Sequence, residues 1–333
     1  MPSKGKRKVW RTILRAVALL LLAAAAFALV SPLPVSFALR AAFRISPAVA
    51  PDNYEEIENQ VEVIHNLVYP SEYQDNVADI YIPKDKEGPF PVVLWVHGGA
   101  FVGGSKGDVA LYATALAAEG IAVVCMDYRR APEAKYPVPV MQTEDAYLWL
   151  RDISDTYSFD IDRFVLAGDS AGAHIVAQFA AIQSSAAYAD EMDFDQIVPL
   201  PALKAVLLFC GPFDAAKIDA GPNPVVNFLL ARVAWAYFGT TDWSKDFAHQ
   251  ATISRHITES FPPTFISDGN RLSFEEHGRE LADALRGSGV PVETCFIPID
   301  TERTAHEYQF IMNTPAGKES FRQALKFLQE YTS

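Results

Sequence analysis

The segment Gly168-Asp169-Ser170-Ala171-Gly172 has the pattern G-x-S-x-G, in which a serine stands between small residues. It directly follows the apolar run Phe164–Ala167 and directly precedes an apolar helical pattern. A serine in this context lies on a tight turn between a strand and a helix, with its hydroxyl lifted clear of the sheet. The pattern therefore predicts a nucleophilic serine at position 170.

A second glycine motif, His97-Gly98-Gly99, closes another predicted strand 73 residues before the serine. Attack on an acyl group puts negative charge on the former carbonyl oxygen, and nearby backbone N–H groups stabilise that charge. Glycine lets a backbone approach the reacting atoms closely. We therefore expect an oxyanion hole made by the N–H groups of Gly98, Gly99 and Ala171.

A serine hydroxyl is a poor nucleophile without a general base. Of the seven histidines, only His306 falls in the predicted loop between the last strand and the last helix, where this kind of fold returns to the serine. His97 belongs to the glycine motif, and His174 lies on the helix after Ser170, where packing is expected. His306 is therefore the predicted base.

The acid that would orient this histidine is expected after the strand Pro263–Ser267, because a carboxylate there can hold the imidazole tautomer. Three carboxylates compete in the segment that follows: Asp268, Glu275 and Glu276. Asp268 comes first after the strand, whereas Glu275 lies one turn into the next helix and has a longer reach. Glu275 is preferred on that ground, and Asp268 stays open.

Short apolar runs alternate with helical patterns along the chain after residue 50. The predicted strands are Val61–Val68, Val77–Ile82, Val92–His97, Ala122–Asp127, Phe164–Ala167, Ala205–Cys210, Thr264–Ser267 and Val292–Ile297. The predicted helices are Asp108–Glu119, Val140–Asp152, Ser170–Gln183, Phe274–Arg286 and Ala316–Tyr331. Several central runs are continuously apolar, as strands buried on both faces of a parallel sheet are. The pattern predicts a doubly wound α/β sheet with the site at the carboxyl ends of its strands.

With these residues in place, the chain resembles the hormone-sensitive-lipase-like branch of the α/β-hydrolases over about Val61–Tyr331. The segments that carry the resemblance are His97–Ser105, Asp127–Glu133 followed by Tyr136-Pro137, Glu144–Leu150 and Gly168–Gly172. The resemblance implies an α/β-hydrolase fold: a mostly parallel eight-stranded sheet with helices on both faces and a small cap. It also implies hydrolysis of small or medium acyl esters through an acyl-enzyme on Ser170, with His306 as base and then acid, and no cofactor.

The chain departs from the family at the acid. An Asp-Pro-Leu triplet is usual after the seventh main strand, and a gapless comparison places Leu272-Ser273-Phe274 there. Leu272 cannot be the acid, so the role is expected to move to Asp268 or Glu275, or to leave a weaker Ser-His dyad. Two other functions stay open: an amidase or peptidase on the same triad, and a non-catalytic binding domain that kept the fold.

Charge is distributed unevenly along the chain. Residues 1–50 carry eight Lys/Arg and no Asp/Glu, so residues 51–333 hold 20 basic and 41 acidic side chains, a formal charge of −21. An acidic body repels phosphate backbones, which argues against a nucleic-acid partner. A neutral or cationic small molecule is the expected partner, and the oligomeric state is not indicated.

The basic leader contains the uncharged segment Ala16–Leu39, long enough as a helix to cross a hydrocarbon core of about 30 Å. Pro32 shortens it toward the length of a signal peptide, and Ala26-Phe27-Ala28 fits a cleavage site. An uncleaved anchor is preferred over a cleaved signal and a secreted product. Because basic residues precede the segment, the body is expected outside the cytoplasm. Residues 1–45 are thus predicted to be the membrane segment and residues 46–333 the catalytic domain.

Two further expectations concern the body. Cys125, Cys210 and Cys295 form no metal-binding spacing and are expected to be buried free thiols. Residues 40–60 and 212–245 are the expected cap. Its aromatic residues could line an acyl pocket, although most are expected in the core: Phe213, Phe228, Trp235, Tyr237, Phe238 and Trp243.

Overall fold

The structure is a computed structural model that describes residues 4–44, 48–217, 223–242 and 247–333. Its strands are β1 Val61–Val68, β2 Val77–Pro83, β3 Phe90–Val96, β4 Ala122–Met126, β5 Phe159–Asp169, β6 Leu203–Phe209, β7 Thr264–Asp268 and β8 Val292–Phe296. They form one eight-stranded sheet in the order β1-β2-β4-β3-β5-β6-β7-β8. β2 pairs antiparallel with both β1 and β4, and the remaining neighbours are parallel. The predicted mostly parallel eight-stranded sheet is confirmed.

Helices precede, connect and follow these strands. They are α1 Lys4–Val30, α2 Leu33–Ala42, α3 Tyr54–Glu58, α4 Ala110–Ala118, α5 Val138–Asp152, α6 Ser154–Tyr157, α7 Ala171–Ser184, α8 Ala186–Met192, α9 Pro224–Phe238, α10 Phe247–Gln250, α11 Glu275–Gly287 and α12 Pro315–Thr332. Buried side chains of α5, α7 and α11 form one core layer, and those of α4 and α12 form the other. The five predicted helices are all present, with ends that differ by a few residues.

The strands at the centre of the sheet are buried along their whole length because both faces are covered. Every residue of β3, β4 and β7 is buried, as the continuous apolar runs predict for most of them. β5 begins at Phe159, earlier than the predicted Phe164, because Phe159 pairs with Phe90 at the start of β3. This alignment brings the carboxyl ends of β3 and β5 side by side.

Two apolar helices, α2 and α9, lie against each other over the carboxyl end of the sheet. α2 is fastened to the body by Arg40. The guanidinium group donates to the carbonyl oxygens of Val102 and Ala131, each at 2.6 Å, and pairs with both carboxylate oxygens of Glu133. These bonds attach α2, which lies before residue 45, to the loops that follow β3 and β4.

α1 is long and apolar enough to cross a membrane between Val9 and Val30, and only 6% of its most hydrophobic window is buried. A core helix of a soluble domain would be mostly buried, so that interpretation does not fit α1. Its carboxyl end meets α9, where Arg232 donates to the carbonyl oxygen of Ala28 at 2.6 Å. Ser31 and Pro32 alone separate α1 from α2.

The three cysteines are free and buried, as predicted. Burial raises the pKa of the Cys125 and Cys210 thiols well above the ordinary value. These two cysteines are therefore neutral packing residues at physiological pH.

Candidate active site

Ser170 stands on a strained turn between β5 and α7. Its φ of +50° and ψ of −117° are rare for a residue with a side chain, so the surrounding packing must enforce them. A Cβ atom on Gly172 would lie 1.9 Å from the carbonyl oxygen of Val96, and one on Gly168 would lie 2.5 Å from the backbone of Gly172. Both glycines are therefore needed for the turn to close against β3.

His306 reaches the serine. Its Nε2 lies 2.9 Å from the Oγ of Ser170. The ring sits in the loop after β8, and Phe274 packs edge-on against it, with ring centroids 5.6 Å apart. The two sequence-predicted residues thus lie at hydrogen-bond distance from each other, as a nucleophile and its base do in acyl transfer.

The loop that carries His306 is attached to the loop after β7 by the side chain of Asn270. Its Nδ2 donates to the carbonyl oxygens of Ile297 and Glu302 at 2.9 and 2.8 Å, and its Oδ1 accepts from the N–H of Thr304 at 3.1 Å. Gly269 permits this contact, because a Cβ there would lie 2.1 Å from the carbonyl oxygen of Ala305. The two loops are therefore held as one unit.

A serine hydroxyl lies between Nδ1 of His306 and the carboxylate of Asp268. His306 Nδ1 is 2.8 Å from the Oγ of Ser273, and that hydroxyl donates in turn to Oδ1 of Asp268. The same carboxylate oxygen accepts from the N–H of Gly269 at 2.7 Å. Glu275 instead accepts from Arg279, at 2.9 and 2.6 Å, on the outside of α11. The geometry brings Asp268 to the histidine through Ser273, whereas Glu275 forms a helix-surface ion pair.

The direction of these hydrogen bonds defines the histidine tautomer. If Ser273 donates to Asp268, its oxygen accepts from Nδ1–H of His306, and Nε2 is left as the acceptor for the hydroxyl of Ser170. Burial raises the pKa of Asp268 to about 6, against the opposing effect of the neighbouring histidine. Burial lowers the pKa of His306, so the imidazole is neutral near pH 7 and its Nε2 is free to accept a proton.

One of the three N–H groups of the expected oxyanion hole already has a hydrogen-bond partner. The N–H of Gly98 donates to Oδ2 of Asp169 at 2.8 Å, so it is already satisfied and turned away from an incoming oxygen. This corrects the prediction that Gly98 is an oxyanion donor. Among the described residues, the N–H groups of Gly99, Ala100 and Ala171 make no hydrogen bond and line the same pocket as Ser170. Ala100 has a φ of +53°, which the turn of the glycine motif imposes.

Asp169 belongs to a buried pair of acidic residues beside the nucleophile. Its Oδ1 accepts from the indole N–H of Trp95 at 2.8 Å, and its carboxyl group is hydrogen bonded to that of Glu307. Burial raises the pKa of Asp169 well above its ordinary value, and the facing charge of Glu307 raises it further. Burial likewise raises the pKa of Glu307 to about 7. Two carboxyl groups this close share a proton near neutral pH.

A cavity of about 300 Å³ opens beside Ser170. Its walls are mainly apolar, with Leu39 and Phe43 at the α2 side and Leu230 and Val233 from α9. The volume is at the lower end for small-molecule sites. An apolar cavity that ends at a nucleophile can hold the hydrocarbon part of an acyl substrate.

The aromatic residues of the predicted cap lie in different parts of the structure. Phe238 lines the cavity, whereas Phe213 and Tyr237 are buried in the core. Phe228 and Trp235 lie against the guanidinium of Arg232. Trp243 lies outside the described residues. Aliphatic side chains of α2 and α9, among them Leu39, Leu230 and Val233, also line the cavity, and the sequence did not predict them there.

A sequence profile of the BD-FAE family matches residues 78–274, more than half of the chain. The chain belongs to the BD-FAE family. The match spans the glycine motif, the nucleophile turn and the loop that carries Asp268 and Ser273, and it ends before His306. An inhibited esterase B from Lactobacillus rhamnosis has the same fold, with a TM-score of 0.72 and 19% identity over 96% of this chain and 97% of that one. The chain is thus an α/β-hydrolase, as its resemblance to the hormone-sensitive-lipase-like branch implied.

Two curated relatives have esterase names. A probable isoprenylcysteine alpha-carbonyl methylesterase from Oryza sativa subsp. japonica is 37% identical over 116 residues, which cover 35% of this chain and 28% of that protein. Carboxylesterase NlhH from Mycobacterium tuberculosis is 28% identical over 264 residues, which cover 77% of this chain and 79% of that protein. The match to the plant methylesterases thus spans less than a third of their length.

Sequence reasoning missed Ser273, Ala100 and Glu307 as members of the site. The gapless comparison places Leu272 at the usual acid position and Ser273 one residue after it, and no spacing in the sequence indicates that the hydroxyl of Ser273 contacts Asp268. Glu307 directly follows the base, and its left-handed backbone, with φ of +60°, turns its carboxyl group toward Asp169. That turn depends on tertiary packing, which no spacing in the sequence indicates.

Substitution Glu307→Gln should flatten the pH dependence of stability between about pH 4.5 and 7. The raised pKa means that the folded protein binds more protons than the unfolded chain in this window, so wild-type stability falls as the pH rises toward 7 and then levels off. The amide removes that titration, and thermal unfolding measured at several pH values reports the change. Glu259→Gln, on an exposed turn, is the control for loss of one charge. Parallel wild-type and Glu307→Gln curves would contradict the assignment of this titration to Glu307.

Proposed function

We propose that this protein is a membrane-anchored serine carboxylesterase. The observation that carries the proposal is the hydrogen-bonded series Ser170, His306, Ser273 and Asp268 at the end of an apolar cavity. The esterase names of the relatives support the same reaction class. The acidic body favours an uncharged substrate, and a carboxylic ester is uncharged at the reacting group.

In the first half of the reaction, the Oγ of Ser170 attacks the ester carbonyl carbon while its proton passes to Nε2 of His306. The negative charge that develops on the carbonyl oxygen is stabilised by the N–H groups of Gly99, Ala100 and Ala171. The bond to the alcohol oxygen then breaks, and the leaving alcohol takes the proton back from Nε2. The acyl group remains on Ser170.

In the second half, water replaces the alcohol. His306 takes a proton from the water as it attacks the acyl-enzyme, and then returns a proton to Oγ of Ser170 as the carboxylic acid leaves. Each half passes through an imidazolium whose Nδ1–H points to Ser273. The hydroxyl of Ser273 links this imidazolium to the negatively charged carboxylate of Asp268. Oδ2 of Asp268 is buried without a hydrogen-bond partner among the described residues.

A fluorophosphonate should label the wild-type protein on Ser170 and leave Ser170→Ala unlabelled. The reagent requires an activated serine, so His306→Ala should slow labelling by at least about 10²-fold. Intact-mass measurement follows the adduct, and circular dichroism shows that each variant is folded. Absence of an adduct on folded wild-type protein would overturn the hydrolase proposal in favour of a non-catalytic binding domain.

Substitution of the proposed acid should have a much larger effect on kcat than substitution of the sequence-preferred one. We expect Asp268→Asn to lower kcat by about 10³–10⁴-fold, because the imidazolium loses its charge partner and the tautomer is no longer held. Glu275→Gln should stay within about twofold of wild type, since this carboxylate pairs with Arg279. Ser273→Ala should lower kcat to an intermediate extent by interrupting the relay. Steady-state kinetics with p-nitrophenyl butyrate measure all three, and a large loss in Glu275→Gln with a small one in Asp268→Asn would reverse the assignment.

We further propose that α1 is an uncleaved membrane anchor and that the body lies outside the cytoplasm. The span Val9–Val30 has a mean hydropathy of 2.6 in its most apolar window, and six basic residues precede Ala16. Arg232 holds the backbone carbonyls of Ala28 and Leu29, next to the point where a signal peptidase would cut. The body thus binds the residues that cleavage would separate.

The mature protein in the membrane fraction should retain its basic leader. N-terminal sequencing should find the first residue of the mature protein at or next to Met1, and its intact mass should include the leader. Alkaline carbonate should leave the protein in the membrane pellet, because a spanning helix withstands the loss of electrostatic attachment. A mature terminus at Leu29 and release of soluble protein would instead establish a cleaved signal and a secreted product.

A further inference from the structure

The helices that cover the active-site cavity are also the helices that meet the membrane anchor. Leu39 of α2, Phe43 directly after that helix, and Leu230 and Val233 of α9 line the cavity. We call α2 and α9 together the roof. α2 begins three residues after α1 ends, and Arg232 of α9 holds the last turn of α1. The roof is therefore fixed at the end of the membrane-spanning segment.

The roof has an apolar exposed surface as well as an apolar inner one. Leu33 and Phe37 of α2 are 36% and 50% exposed, and Val225 of α9 is 65% exposed. A water-soluble domain usually places polar side chains on such a helix face. Residues of this kind, next to a membrane span, fit insertion into the edge of the bilayer.

The charged side chains of the roof are held by contacts within the protein. α2 and α9 contain no acidic or lysine residue, and each contains one arginine. Arg40 is held by Glu133 and two carbonyl oxygens, and Arg232 is held by the end of α1 and by the rings of Phe228 and Trp235. Neither guanidinium group has to be stripped of its partners for the roof to enter an apolar phase, which removes a large desolvation cost.

The cavity itself favours an uncharged lipid. Among the described residues, four carboxyl side chains line it, from Asp108, Asp169, Asp214 and Glu307, against one lysine, Lys217. Asp169 and Glu307 share a proton, and the lining still carries more negative than positive charge. A phosphate headgroup would be repelled by this arrangement, whereas an ester without a charged headgroup would not. The apolar roof side chains then remain to hold a hydrocarbon chain.

We propose that the roof rests in the bilayer surface and that the substrate is a neutral long-chain lipid ester of the acylglycerol type, which enters the cavity from the membrane. This inference rests on the proposed esterase activity and on the membrane anchor, and it adds the substrate class and the route of entry. The hydrocarbon chain passes between α2 and α9 while the ester group reaches Ser170. The products are a fatty acid, which can return to the bilayer, and a glycerol-containing alcohol.

The test uses full-length protein reconstituted in phosphatidylcholine vesicles that contain diolein, with p-nitrophenyl butyrate as the water-soluble substrate. The variant Leu33→Glu/Val225→Glu places two charges on the outer face of the roof, at residues that do not line the cavity. The control Leu200→Glu/Val68→Glu adds the same charges at equally exposed apolar positions, 38% and 67% exposed, in the loop before β6 and on the edge strand β1.

The roof variant should hydrolyse diolein in vesicles at least about tenfold more slowly than wild type, because charged side chains are costly to place among lipid chains. Its rate with p-nitrophenyl butyrate should stay within about twofold, which also shows that it is folded. The control variant should match wild type with both substrates.

Each other outcome contradicts a different part of the proposal. Equal vesicle rates for the roof variant and wild type would overturn entry through the roof. Wild-type protein that cleaves the butyrate but not diolein would overturn the lipid substrate while leaving the esterase in place. Loss of both activities in wild type would instead remove the proposed function on which the inference rests.

Discussion

The close approach of the Ser170 turn to the end of β3 is the constraint on which the site depends. Gly172 lies so near the carbonyl oxygen of Val96 that no side chain fits between them. This contact brings the start of α7 beside the glycine motif that follows β3, so free N–H groups from two distant segments face one point. Because β3 and β5 are neighbours in a parallel sheet, their carboxyl ends are already aligned, and the turn completes the approach.

Buried carboxyl groups then organise the surroundings of that turn. Asp169 holds the loop after β3 by binding the N–H of Gly98, and Trp95 holds Asp169 from the core side. Glu307 adds a second carboxyl group, and the shared proton lowers the cost of burying both. The acidic pair therefore has a structural role, separate from the one that we propose for Asp268.

Much of this fold could be predicted from the sequence, because its central strands are continuous apolar runs and its helices have clear apolar faces. Ser170 could be predicted because the glycines around it have only one compatible turn. His306 could be placed by topology alone. The choice between Asp268 and Glu275 could not be predicted, because the sequence does not show in which direction each side chain points. In the structure, α11 turns Glu275 toward Arg279. The error at Gly98 has a similar cause, because its N–H has a partner, Asp169, that lies 71 residues away along the chain.

The amide of Asn270 gives the acid loop an attachment that does not involve the catalytic residues. It joins the loop to the backbone of the histidine segment through three hydrogen bonds. A change in the hydrogen bonds of Asp268 or Ser273 would therefore leave this attachment of the His306 loop in place. Asn270 thus holds the His306 loop in position independently of the hydrogen bonds that the imidazole itself makes.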